Sequence, residues 1–130
     1  MQPVGTPLRR TYRAEGAGTT ALVRGYAVVQ GTAEDQVKYC TGAGARPIGV
    51  VEEAVSVSND PVSIVTFGEC IGIAGQAAIT PGMELMLDAD GKFVTAEGDG
   101  ANERAGRAIS SAALEDDEFV VFFNPVKLWT

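Results

Sequence analysis

Apolar residues along this chain come in short Val, Ile and Phe runs that Gly, Asp or Asn interrupts every few positions. In "MELML", Met83, Leu85 and Leu87 fall on one face and Glu84 and Met86 on the other, the period-two pattern of a half-buried strand. "VSIVTF" (62–67) and "FVVFF" (119–123) are the most apolar runs, and each follows an acidic turn, "SND" or "EDDE". Because "FVVFF" does not alternate, it must be covered on both faces, within the domain or against another chain.

These runs recur. Laying residues 20–68 over 77–125 needs no gap and pairs Ala21 with Ala78, Gly25 with Gly82, Val37 with Val94, Gly49 with Gly106 and Asp60 with Asp117. Each copy then reads as a short strand (Ala21 to Val23; Ala78 to Thr80), a glycine turn and a strand (Tyr26 to Val29; Met83 to Leu87). After a polar bend comes a third strand (Val37 to Cys40; Phe93 to Thr95), then a Gly-rich loop into "IGVV" or "GRAI", and the final apolar run. The structural glycines expected are Gly25, Gly82, Gly49, Gly106 and Gly91, the last in an Asp90-Gly91 hairpin of type I′.

The fold class that follows is all-β: a small barrel or sandwich-like domain built from two pseudo-repeated β-units, since a unit with one apolar face must bury it on something. The expected organisation is an extended arm at 1–19, one domain at 20–126 with repeats 20–68 and 77–125, and a tail at 127–130. A chain of 130 residues, 45% hydrophobic and 21% charged, fits one such domain, and Gly 16 with Pro 6 suits tight turns.

Charge adds an asymmetry. The arm region holds Arg9, Arg10, Arg13 and nearby Arg24 against Glu15, whereas the body is acidic and brings the chain to −7. An acidic body argues against direct nucleic-acid binding, which needs a basic surface. With two prolines and no clear period, "QPVGTPLRRTYRAEGAGTT" reads as an arm leaving the domain. No run of apolar residues is long enough to span a membrane, and the first twenty residues lack a signal peptide's apolar centre. The expectation is a soluble protein made in the cytoplasm with no membrane partner.

Candidate chemistry is thin. The chain has no histidine, which excludes Ser-His and Cys-His triads and most zinc chemistry. Cys40 and Cys70 lack paired spacing and read as two buried thiols. "DADG" (88–91) offers the acids and glycine of a calcium loop, but its strand-like flanks fit a bend instead. "GAGARPIG" (42–49) has Pro47 in place of a third fingerprint glycine and no helix to follow, so it reads as a loop. Glu115 to Glu118 read as a solvated turn. No catalytic, cofactor or metal residue is assigned, and the expectation is that the protein is not an enzyme. Trp129, next to the end, is a candidate subunit-interface residue.

"GIAGQAAITPGMELMLDADGKFVTA", followed by "GRAISSAALEDDEFVVFF", resembles the tailed-bacteriophage capsid decoration, or cement, proteins. The shared elements are Ala74 to Ile79, Pro81 and Gly82, Asp88 to Gly91, Gly106 to Ala108 and Phe119 to Phe123, with a looser likeness back to Thr20. The resemblance implies a virion protein on the outer surface of the assembled head. It also implies the major capsid protein as partner and self-association, with a homotrimer expected. On that reading the arm residues Pro3, Leu8, Arg9, Arg10, Tyr12 and Arg13 order on the capsid by strand addition. Two rivals are a non-viral β-barrel binding module or assembly subunit, and a hydrolase using Asp88 with Asp90.

Overall fold

A computed structural model describes residues 7–15, 23–40, 46–54, 60–96 and 103–127. The protein is all-β, with no helix among the described residues. In chain order the strands are β1 (Leu8–Ala14), β2 (Ala27–Gln30), β3 (Gln36–Tyr39), β4 (Gly49–Val51), β5 (Pro61–Ile73), β6 (Glu84–Leu87), β7 (Phe93–Thr95), β8 (Glu103–Ala108) and β9 (Glu118–Lys127).

The strand order is β1-β3-β2-β4-β5-β9-β8-β6-β7, and β1 also pairs antiparallel with β5. That last pairing closes β1 to β5 into a five-stranded barrel, with β1 and β3 joined at Arg13 and Ala14. Beyond Gly68, β5 continues as the first strand of a second ring, β5-β9-β8-β6-β7. There a parallel bridge from Ala74 to Phe93, with Gly75 N–H donating to Phe93 O at 2.7 Å, joins the far edge back to the end of β5. A single 13-residue strand is thus the last stave of one unit and the first of the next.

The two units share a hydrogen-bond frame. Ala27 faces Val50 and Val28 faces Gly49; 57 positions later, Glu84 faces Arg107 and Leu85 faces Gly106. Val50 faces Val65 and Val51 faces Ile64, as Arg107 faces Phe122 and Ala108 faces Val121. Gly25 N–H donates to Val51 O at 2.9 Å, and Gly82 N–H donates to Ala108 O at 2.8 Å. Both glycines have positive φ, +87° and +90°, where a side chain would be strained.

The first strand of each unit obeys a different offset. Ala14 N–H donates to Asp60 O, and Ala74 N–H donates to Asp117 O, 60 positions on. "LRRTYRA" therefore occupies the place that "GECIGIA" fills in the second unit. The expected free arm over 1–19 is corrected for residues 8–14: they are a barrel strand paired along Leu8 to Arg13 with β5 and at Arg13 and Ala14 with β3, and Ala14 is buried. Pro3 and the rest of 1–6, Ala21, residues 41–45 of the expected Gly-rich loop, residues 58 and 59 of the expected acidic turn, and Trp129 lie outside the described residues.

Two buried clusters fill the units. One gathers Ala14, Val28, Val37, Val51, Val62 and Ile64, with Tyr12 and Ile48 packed on it. The larger, built on Leu85, Leu87, Phe93, Phe119 and Phe123, also takes in Ala27, Cys40 and Val50 from the first unit. The core therefore runs through the junction.

Candidate interaction surface

The bend at Asp88 to Gly91 is one of the places where the second unit touches the first. Asp88 Oδ1 accepts from the backbone N–H of Asp90 at 2.9 Å and of Lys92 at 3.0 Å. A carboxylate held this way shapes the turn and is committed to backbone donors. Ala27 N–H donates to Gly91 O at 2.9 Å, and the Cys40 thiol donates to Asp88 O at 3.6 Å. The expected type I′ turn is corrected: only Gly91 has positive φ, and Gly91 N–H closes back on Asp88 O at 3.3 Å. That is a type I turn over Ala89 and Asp90 followed by a left-handed glycine, which type I′ geometry, needing positive φ at Asp90 as well, does not match.

The acidic turn is clasped from both sides. Asp116 has φ +72° and its Oδ1 lies 2.6 Å from Lys92 Nζ, a hydrogen bond that raises the Lys92 pKa. Asp117 Oδ2 accepts from Leu114 N–H at 3.0 Å, and Glu118 stands 3.9 Å from Arg24. No group of acids, cysteines and histidines suited to a metal occurs among the described residues.

The arginines of β1 bind within the chain. Arg9 Nε donates to both oxygens of Glu52, at 2.7 and 2.9 Å, and Ser63 Oγ donates to the same carboxylate at 2.8 Å. Arg13 donates to Asp35 through Nε at 2.7 Å and through Nη2 at 2.9 Å. The hydrogen bond from Arg13 holds the Asp35 carboxyl below its usual pKa and raises that of Arg13 in return. Tyr12 is half-buried on the smaller cluster, while Leu8 and Arg10 are exposed. Gly49 and Gly106 prove to be strand rather than turn positions, in β4 and in a bulge of β8. At Gly49 a side chain would meet Ile64, and at Gly106 the carbonyl of Phe122.

Where β5 passes from one unit to the other, its outer side forms a groove of about 260 Å³. Val65 and Ile71 belong to its lining, with Arg9, Glu52, Arg24 and Glu69 as the charged members. Cys70 also lines it, and burial foremost, with the Glu52 charge, pushes its thiol up to about 12. Neither cysteine is disulfide-bonded. Beside the groove, Phe67 meets Phe122 edge-to-face, with centroids 5.4 Å apart, and the Arg107 guanidinium lies 6.0 Å from the Phe122 ring. Leu8 pairs with Phe67 across the strands. Only the shape of "FVVFF" hinted at this surface in the sequence.

The class these features define is an all-β domain with a closed five-stranded barrel and further strands built on the end of β5. No family model and no curated protein matches the chain. Among solved structures, fifteen chains match. One is the crystal structure of the head fiber gp8.5 N base in bacteriophage phi29, 19% identical, with a TM-score of 0.70 over 96% of this chain and 100% of that one. At that identity the likeness is one of fold.

Proposed function

We propose that the protein is a structural component of a bacteriophage head: a decoration or cement protein, and not an enzyme. The observation that carries this reading is the fold shared, nearly end to end, with a phage head fiber base. The motif resemblance over Ala74 to Phe123 points the same way from the sequence. On this reading it sits on the outer surface of the virion capsid after synthesis in the host cytoplasm, contacts the major capsid protein, and self-associates as a homotrimer. It engages no nucleic acid directly and needs no cofactor.

The physical basis is linkage. A protein that binds the assembled lattice and not the free subunits stabilises the lattice by about 4 kcal/mol per site at a thousandfold excess over its Kd. A β-domain whose strands are paired in one continuous nine-stranded order suits the task because it presents few unpaired edges. Strand addition by β1 is limited to the edge of residues 8–12 that faces away from β5, since β5 takes the other edge and β3 pairs with Arg13 and Ala14.

Co-sedimentation with expanded capsid shells and with unassembled capsid protein tests the reading. Binding to shells and not to free subunits is expected, with a raised shell disruption temperature. Binding to neither would favour the non-viral binding module.

A further inference from the structure

The groove where β5 leaves the first unit is built around an uncovered stretch of strand edge. Ser63 O accepts from Glu52 N–H at 3.1 Å, and Ile73 N–H donates to Gly25 O at 3.2 Å, so this edge of β5 is covered at its two ends. Between them, Glu69 faces Phe122 and Ile71 faces Val120 across the ladder with β9. Val120 O accepts from the N–H groups of Ile109 and Ser110, which turns the backbone of Val120 and Phe122 toward the β8 side. In an antiparallel ladder the residues opposite then point their own backbone groups the other way. The N–H and C=O of Glu69 and Ile71 therefore open into the groove, and none of them makes a backbone bond on that side among the described residues.

The side chains add one uncompensated charge. Glu52 is held by Arg9 and Ser63, and Arg24 stands 3.9 Å from Glu118. The Cys70 thiol, pushed up to about 12, brings no charge at neutral pH. Glu69 is half-buried and makes no hydrogen bond or ion pair with its side chain among the described residues. Val51, Val65 and Ile71 supply the apolar wall beside it.

We propose that this groove receives an arginine side chain of a partner protein. About 260 Å³ with an apolar wall suits the stem, which an arginine buries while its head stays hydrogen-bonded. The planar guanidinium carries donors and no acceptor, so it matches a lone carboxylate beside outward-facing carbonyl oxygens. An anion would meet the Glu69 carboxylate, and an apolar side chain would leave that carboxylate and the edge carbonyls without donors. The partner's backbone, extended next to its arginine, pairs with the edge at Glu69 and Ile71. This inference goes beyond the phage-head reading, and either can fail while the other stands.

Titration of the isotope-labelled protein, followed through its amide chemical shifts, tests the assignment. N-acetyl-arginine-methylamide should give saturable shifts at Val51, Glu69, Cys70 and Ile71, with a Kd on the order of millimolar for so small a ligand. Its neutral isostere, N-acetyl-citrulline-methylamide, should bind about fivefold more weakly. Glu69→Gln should abolish that preference while amides remote from the groove keep their positions. Butylguanidinium, which lacks the peptide groups, should bind less tightly than the arginine derivative. The inference is overturned by an absence of saturable shifts, by equal affinity for the citrulline derivative, or by an arginine preference that survives Glu69→Gln. Tighter binding of butylguanidinium would give the groove to a free cation, and tighter binding of N-acetyl-glutamate-methylamide would give it to an anion; either result also overturns it.

Discussion

The two barrel units keep one frame and fill it differently. The second is packed with Phe93, Phe119 and Phe123, whose rings meet edge-to-face in the pair Phe93 and Phe119 at 6.3 Å. The first is filled by valines, one isoleucine and alanine, and adds the surface pairs Arg9–Glu52 and Arg13–Asp35. Its Ala27, Cys40 and Val50 contribute to the larger cluster. The difference teaches that the second unit holds the stability and the first leans on it. Backbone hydrogen bonds set the shape, and side-chain volume sets how much each half contributes.

The largest effect should come from removing β1. Deleting residues 1–15 opens the first barrel, uncovers the edges of β3 and β5 and strips Ala14 and Tyr12 from a small core. The truncated chain should keep a cooperative transition in urea from the second unit alone, with a smaller amplitude and a lower midpoint. A free arm would instead leave the transition unchanged.

Core truncation separates the units next. Phe123→Ala should cost about 3–5 kcal/mol, whereas Ile64→Val in the first unit should cost about 0.5–1.5 kcal/mol. Urea midpoints measure both. Equal losses from a matched pair of valine-to-alanine changes, Val121→Ala and Val62→Ala, would weaken the asymmetry.

Equivalent glycines offer a finer contrast. At Gly82 an added Cβ meets nothing within 4 Å, so Gly82→Ala should cost only the strain of a left-handed residue, about 1–2 kcal/mol. At Gly25 the same atom would lie 2.8 Å from Ile73, the residue that joins the units. Gly25→Ala should therefore lower the melting midpoint further than Gly82→Ala.

The smallest effect belongs to the Arg13–Asp35 pair. Because the folded pKa of Asp35 is depressed, its contribution is present above the ordinary value of 3.8 and is lost as pH falls through the folded value. Asp35→Asn should melt slightly below the wild type at pH 7 and match it in acid. Both partners are solvent-exposed, so the gap at neutral pH stays small.

Much of this frame was legible. Gly25 and Gly82 marked equivalent turns because their backbone conformation admits little else, and the alternation in "MELML" put Leu85 and Leu87 inside. The first strand was not legible, for two physical reasons. Thirteen positions separate Ala14 from Ala27 but ten separate Ala74 from Glu84, so a gapless overlay cannot align β1 with the second half of β5. In addition, β1 exposes five of its seven side chains, so its sequence shows no apolar period. The groove escaped because its members come from distant segments, Arg9, Arg24, Glu52 and Glu69, which only barrel closure brings together.

Amide hydrogen exchange over residues 8–14 tests the duplicated frame most directly. If β1 is the first stave of the first barrel, the amides bonded to β5 and β3 exchange as slowly as those of β5 opposite them, at 61–67. Exchange of residues 8–14 at the rate of an unstructured peptide, with 61–73 still protected, would contradict it.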